Sequence, residues 1–535
     1  MIRYHLPMRT LLARCSLLLL VVVPCAVLAL NFSRDLIAGD VDQYLSVARS
    51  VREGLGLKTS ILFYEEHYLL GAPPVSQTVF PPGYPLMIAA VAMSGLSMHE
   101  AAFLICVAAF ALCTLLIVSI CRGDGHSWSL ALLAGLVWSG SVPAGVNVLL
   151  GGSDVPFTAV TLLAAWSIQR MATAGRMWGF MAGCAAAVAV SIRYAGLFFV
   201  FALCAVMVVR ALRLRSRRSL AEMALAVVPP VAMLLLLFVR NLLLVGDAKG
   251  GNAYEVATPP SEVVRVLLWG AQGLIGYSRP GFADGRAAEV TLLIVLVGLA
   301  ACAWKGRPVL RTTSSKLRDG SVSALCLAYP SISLAFLWYL GSTRHLGLDS
   351  RMLLPLLPFV VLLVLGWSAQ LTWTTPCIDS RSVVVLLAAL YMLGQAQLPP
   401  PLWAIDRATE MRALRSALVH DVAVREVLAQ ERAAGRPVLT NAASGVGVIL
   451  QQPVVGLTPR DYTPRTWTAE EVAGLIRQLG VRRILFFPGI ESFEDSASGA
   501  PVFFQELRRE EIPRWLVPAG RGRDIVMLDV RGPPL

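Results

Sequence analysis

Two carboxylates, Asp40 and Asp42, sit in the stretch NFSRDLIAGDVDQYLSVARSVREG (31–54), directly after the apolar run LLLLVVVPCAVLAL (17–30). A carboxylate at a membrane surface can take a proton from a nucleophile. It can also simply start a helix. The second reading is specific here, because Asp40 followed three residues later by Gln43 has the form of a capping box for an amphipathic helix over Val41–Arg52, with Asp42 adding charge to its first turn. Asp40 and Tyr44, four apart, share a face of that helix. Val41, Leu45, Ala48 and Leu55 give it an apolar side that can lie in the membrane interface.

Other polar clusters carry less chemistry. Glu65, Glu66 and His67 adjoin one another, but neighbouring residues seldom chelate one ion together, so no divalent metal is expected. The ten cysteines, from Cys15 to Cys377, lack zinc-site spacing, and none falls in an expected outer loop or after residue 400, so no disulfide framework is expected. The closely spaced glycines of GVGVIL (445–450) match neither GxGxxG nor a Walker loop.

The elements that must position these residues follow from composition. With 535 residues, 56% hydrophobic and 15% charged, the chain is too apolar for a soluble globular protein and reads as a polytopic α-helical membrane protein. Apolar stretches near 11–31, 98–121, 127–149, 154–170, 178–192, 195–210, 219–241, 287–304, 321–341, 352–371 and 382–398 predict about eleven transmembrane helices. Residues 1–30 lack a clear small-residue cleavage site and read as an uncleaved first span. Of the formal charge of +12, residues 401–535 carry 17 basic and 16 acidic side chains, or +1. The remaining excess concentrates in VRALRLRSRRS (208–218) and KGRPVLRTTSSKLRDG (305–320), which marks topology rather than a nucleic-acid footprint. The N-terminus is then cytoplasmic, and the loops 32–84 and 242–286 lie outside together with everything after about residue 400.

The expected organisation is a membrane domain, 1–400, whose first outer loop (32–97) carries two interfacial helices, and a small extracytoplasmic soluble α/β domain, 401–535. The second interfacial helix covers Tyr84–Gly95 and is started by the preceding prolines. In the C-terminal domain, RPVLTNAASGVGVIL and RRILFFPGI read as buried strands flanking the helix TAEEVAGLIRQLG, which Thr468 caps.

The order of motifs resembles a known family. Asp40, Tyr44 and Ala48 in the pattern Asp-x-x-x-Tyr-x-x-x-Ala, then a PPGYP motif (81–85), are similar to the membrane glycosyltransferases of the GT-C superfamily, in the branch of protein O-mannosyltransferases and lipid A aminoarabinose transferases. GGSDVPFTAVTLLA (151–164), SIRYAGLFFV (191–200) and SRMLLPLLPF (350–359) follow in the expected order. One departure is Phe80, where many relatives place Lys or His before the paired prolines.

The resemblance implies transfer of a sugar from a polyprenyl-phosphate donor to an acceptor hydroxyl on an envelope glycan, glycolipid or protein, at the outer face of the cytoplasmic (inner) membrane. The donor is a substrate, so no cofactor is expected. Inversion at the anomeric carbon needs a base opposite the leaving phosphate, a role that falls on Asp40, with Asp42 as the alternative. Arg193, Arg351, Arg344 and His345 are the candidates to hold the donor phosphate, with Arg240 behind them. Tyr44, Asp154 and Tyr84 are the candidates to position substrate, although Asp154 before Pro156 also reads as a helix start. An interfacial Arg that only snorkels to headgroups is the bland reading for each arginine. Two competing functions remain: a carrier or flippase for a lipid-linked sugar, which would favour inverted repeats and charges at mid-membrane, and an envelope assembly protein without transferase activity. The topology has a direct check. A periplasm-dependent reporter fused after Leu535 is expected to be active and a cytoplasm-dependent one silent; the reverse pattern would overturn the assignment.

Overall fold

The computed structural model describes residues 8–36, 40–251, 258–275, 322–343, 350–368, 388–389, 391–392, 395, 402–458, 463–489, 501–522 and 524–532. In chain order the described helices are α1 (Met8–Leu30), α2 (Val41–Arg52), α3 (Glu65–Leu69), α4 (Gly83–Ala92), α5 (Met98–Gly123), α6 (Trp128–Ser139), α7 (Val142–Leu150), α8 (Asp154–Ala174), α9 (Met177–Ile192) and α10 (Gly196–Leu214). They continue with α11 (Arg217–Val245), α12 (Pro260–Ile275), α13 (Val322–Thr343), α14 (Ser350–Leu353), α15 (Leu357–Ser368), α16 (Leu402–His420), α17 (Val422–Ala433), α18 (Ala443–Leu450), α19 (Ala469–Leu479) and α20 (Val502–Arg508). The strands are β1 (Lys58–Thr59), β2 (Ile61–Leu62), β3 (Val75–Ser76), β4 (Val438–Thr440), β5 (Val454–Val455), β6 (Arg483–Phe486), β7 (Leu516–Arg521) and β8 (Val526–Val530). Two compact units result: Met1–Phe32, Phe103–Leu235 and Ala257–Pro401 in one, and Ser33–Ala102, Leu236–Val256 and Leu402–Leu535 in the other.

The first unit is a helical bundle. Among the described residues, α1, α5, α10, α11 and α13 are long and apolar enough to cross a membrane, and α6 with α7 makes a sixth candidate bent by 51°. The expected spans at 178–192 and 352–371 are shorter apolar helices. The expected span at 154–170 is the longer but more polar α8. Those at 287–304 and, almost wholly, 382–398 lie outside the described residues. Small residues set the packing, as they do where lipid supplies no hydrophobic drive between helices. A Cβ on Gly183 of α9 would stand 2.5 Å from the carbonyl oxygen of Leu225, and one on Gly179 would stand 3.2 Å from that of Glu222, so α9 and α11 lie backbone to backbone and run the same way.

The second unit is a three-layer α/β/α sandwich. Its six-stranded sheet has the order β2-β5-β4-β6-β8-β7, parallel from β2 to β6 and antiparallel at β8 and β7. The period of two is visible in the core: Ile61, Val438, Val454 and Leu485 face α16, α17 and α18, while Leu62, Leu439, Val455 and Ile484 face α19 and α20. Thr468 caps α19 in a full capping box with Glu471.

Three expectations are corrected here. The sheet is not confined to 401–535, because β2, from the first loop, pairs in parallel with β5 and occupies its edge. GVGVIL is helical, in α18. Gly445 clears the side chain of Leu414 and Gly447 that of Ile61, so the glycines let this helix sit between the sheet and α16. Helix α2 has the expected bounds, but its apolar side faces protein rather than lipid: Val41 through Ser50 are all buried, against α4, β1 and α18.

The glycines generate a paired test. Gly183→Ala should lower the thermal stability of the full chain by about 1–3 kcal/mol, because the new methyl meets backbone that cannot move aside. Gly474→Ala, in α19 with nothing within 4 Å of the added atom, should raise it by about 0.5–1 kcal/mol through helix propensity. Thermal unfolding of both variants in detergent checks the pair, and equal effects would contradict the packing described.

Candidate active site

In the second unit the site is built around the start of α2. Asp40 occupies the N-cap position, but its φ of −77° and ψ of −4° are helical and its side chain makes no capping hydrogen bond. The expected capping box fails because the Gln43 N–H is engaged by Asp42 and the Gln43 side chain is turned to other partners. The Gln43 backbone N–H donates to Asp42 Oδ1 at 2.8 Å. The Gln43 amide reaches away from the helix, donating from Nε2 to the Ile61 carbonyl at 3.2 Å and accepting at Oε1 from Thr59 Oγ1 at 3.0 Å and Gln77 Nε2 at 3.3 Å. Asp40 is half-buried and Asp42 buried.

The network continues to His67. Phe63 N–H donates to His67 Nδ1 at 3.4 Å, so the ring proton sits on Nε2, which lies 3.2 Å from Gln77 Oε1 and donates to it. Val79 N–H donates to the same oxygen at 3.0 Å. Hydrogen bonds thus run in one direction from His67 through Gln77 to Gln43 and on to the backbone at Ile61. Every member but Val79, which is half-buried, is buried. His67 is therefore a neutral structural donor. Glu65, its neighbour, pairs instead with Arg465 at 3.1 Å and accepts from Thr463 Oγ1 at 2.6 Å. No group of three or more metal-ligating side chains occurs among the described residues.

Aromatic rings hold the other side of α2. Tyr44 meets Phe80 and Tyr84 edge-on, each at 5.2 Å, and Phe80 meets Tyr64 at 5.8 Å. Such pairs contribute about 0.5–1.5 kcal/mol each beyond their area. Tyr44 and Tyr84 are almost fully buried, so what these two expected substrate-positioning residues do in the fold is lock α2 onto α4. Phe80, the departure from the family pattern, is part of the same lock. Arg240 donates from Nη2 to the Gln77 carbonyl at 2.6 Å and from Nη1 to Asn241 Oδ1 at 3.2 Å, which fixes the backbone just ahead of PPGYP.

In the first unit a second polar knot joins α7, α8 and α9. Gly151 ends α7 in the left-handed region, at φ 72°, and a Cβ on Gly152 would strike Asn147, so the GG of GGSD is a steric requirement. Asp154 is the first residue of α8, and Arg193 follows the last turn of α9, each suited to its helix end. Arg193 Nη1 lies 2.8 Å from Asp154 Oδ1 and 2.9 Å from Ser153 Oγ, while Asn147 Nδ2 donates to Asp154 Oδ2 at 2.8 Å. Arg193 and Asp154, expected in separate roles, are thus partners across the α8–α9 hairpin. Arg351 is exposed in the last turn of α14. Arg344 and His345 lie outside the described residues.

Sequence reasoning missed Gln77, Thr59 and Asn147, and assigned Gln43 to a cap. The only available signal was Gln77, three residues before the Phe80-Pro81-Pro82 motif.

Comparison with known proteins bears on this arrangement. Residues 80–239 match the family model described as dolichyl-phosphate-mannose-protein mannosyltransferase. No curated protein matches the chain in sequence. Solved structures that resemble it include ArnT from Cupriavidus metallidurans bound to undecaprenyl phosphate, with TM-score 0.53 and 12% identity, covering 97% of each chain. The Archaeoglobus fulgidus oligosaccharyltransferase in the apo form gives TM-score 0.54 and 13% identity over 90% of this chain and 70% of that one. AglB from the same organism, in complex with an inhibitory peptide and a dolichol-phosphate, gives TM-score 0.53 and 12% identity over 91% and 71%. The chain shares the fold of these structures. It is a multi-pass membrane protein.

Burial pushes the pKa of His67 down to about 4, against a smaller upward pull from its bond to Gln77. The unfolded chain binds this proton near 6.5 and the folded chain does not, so stability is full above 6.5 and falls as pH drops towards 4. At pH 5 the loss from this one group is about 2 kcal/mol. The melting temperature of the full chain should therefore drop between pH 7.5 and 5, and His67→Gln should flatten the drop; an unchanged slope would contradict the neutral-donor role.

Proposed function

We propose that this protein is a GT-C glycosyltransferase that moves a sugar from a polyprenyl-phosphate donor to an acceptor hydroxyl on the outer face of the cytoplasmic membrane, with inversion and with Asp40 as general base. The observation that carries the reading is the state of Asp40. It stands at the start of a helix that two glutamines, a histidine and three aromatic rings hold in place, yet its carboxylate does no capping work. A carboxylate held in place and not committed to capping suits base catalysis. Asp42 is the weaker candidate, since it is buried and already accepts the Gln43 N–H.

The step itself is a displacement. The acceptor oxygen attacks the anomeric carbon as Asp40 takes its proton, the glycosidic C–O bond to the lipid phosphate breaks, and the phosphate leaves with the electron pair. A positioned base contributes about 10²–10⁴-fold in rate. The undecaprenyl phosphate and dolichol-phosphate named for ArnT and AglB support the donor class. Arg351 and Arg193 are the proposed phosphate ligands. Metal-free catalysis fits a monophosphate leaving group. The C-terminal sandwich lies in the extracytoplasmic compartment on this reading.

Asp40→Asn keeps shape and removes the base, and because the Asp40 side chain makes no capping hydrogen bond the start of α2 should hold, which thermal unfolding of the variant checks. Single-turnover transfer from a polyprenyl-phosphate sugar is expected to fall by about 10²-fold or more, with donor binding intact. Asp42→Asn, which can still accept the Gln43 N–H, should do much less. Near-normal transfer by Asp40→Asn, or a larger loss in Asp42→Asn, would overturn the assignment.

A further inference from the structure

The strongest unassigned feature lies in the first unit, where α9 and α11 begin. The Gly179 and Gly183 contacts bring these two parallel helices to backbone contact, so their N-termini lie side by side. The last turns of α8, at Ala174, and α10, at Leu214, end beside these starts, so the partial charges of the helix ends offset one another. The net charge comes from side chains. Arg176 precedes α9, Arg217 and Arg218 open α11, and together with Gly175 and Ala221 they line a cavity of about 460 Å³. Arg213 and Arg215 lie in the adjoining end of α10 and its turn.

Positive charge here is poorly compensated. Between positions 170 and 222 the one carboxylate is Glu222, and it is shared by Arg210 at 3.2 Å and Arg218 at 3.0 Å. No ion pair among the described residues involves Arg176 or Arg217, and both are exposed. Several guanidinium groups gathered round one cavity repel one another unless an anion enters. The surroundings say which kind of anion. Met177, Leu212, Leu214 and Leu220, interleaved with these arginines, are exposed large apolar side chains on helices of a membrane-spanning bundle. A free phosphate would leave them bare, whereas an amphiphile covers both.

We propose that this cavity binds the phosphate headgroup of an anionic phospholipid, held by Arg176 and Arg217 across the two helix starts, with its acyl chains on the neighbouring apolar residues. Basic pockets between transmembrane helices are suited to such headgroups. The site is independent of the transferase reading and involves none of its residues. On the topology proposed above, it faces the cytoplasmic leaflet.

The test uses the full chain, delipidated in detergent and offered phosphatidylglycerol or phosphatidylcholine in mixed micelles, with retained lipid counted by native mass spectrometry. Phosphatidylglycerol should be retained about tenfold more tightly than phosphatidylcholine, and Arg176→Gln with Arg217→Gln should remove that preference. Arg482→Gln, in the sandwich unit, should leave it intact, and the double Lys variant should keep most of it. Inorganic phosphate at millimolar concentration should not displace the lipid. Equal retention of the two lipids, an equal loss in Arg482→Gln, or displacement by phosphate would each overturn the proposal. Should the double Gln variant fail to fold, salt titration of the unaltered protein decides: phosphatidylglycerol must be released as salt rises while phosphatidylcholine is not, and salt-independent retention sinks the site.

Discussion

Gln43 Oε1 accepts from Thr59 and Gln77 at the same time, and through that atom the start of α2 is tied to β1 and to the segment ahead of PPGYP. Gln77 in turn depends on the neutral ring of His67. Each of these side chains is buried, so each bond stands for a large penalty if broken: an unpartnered amide in the interior costs about 1–3 kcal/mol. A network of that kind tolerates one arrangement. It fixes the rotation of α2 about its axis, and with it the direction in which Asp40 leaves the helix.

The same logic governs the polar knot of the helical bundle. Asp154 is buried, and its charge is sustained by Arg193 on one oxygen and Asn147 on the other. Removing Arg193 would strand a buried carboxylate, a loss of about 3–5 kcal/mol. Arg193 therefore serves the α8–α9 hairpin before any ligand arrives. A loss of activity in an Arg193→Ala chain would mix folding with binding.

The small residues form a third constraint of the same steric kind. Glycines at 179 and 183 draw α9 onto α11, while those at 445 and 447 seat α18 between sheet and helix. In both places the absence of a side chain determines how closely the neighbouring elements approach. The arginines at the starts of α9 and α11 are crowded because the backbones below them touch.

Local signals in the chain were enough for much of this. Apolar runs marked the helices of the bundle, the limits of α2 followed from its periodicity, Thr468 with Glu471 announced α19, and the ordered motifs pointed to the fold shared with ArnT and AglB. These features depend on residues within a turn or two of one another. What tertiary structure alone decided depends on partners far apart in sequence. Asp40 and Gln43 have the spacing of a capping box, yet Thr59, Ile61 and Gln77 offered Gln43 better-placed partners, and the box did not form. Ile61 and Leu62 are too short a run to declare a strand, and they became one because β5 presented an open edge nearly four hundred residues later. Asp154 and Arg193 are each ordinary at a helix end, and only the hairpin made them a pair. Periodicity and caps are written locally because backbone geometry is local, whereas burial, which sets the cost of every unpaired polar atom, exists only once distant segments have met.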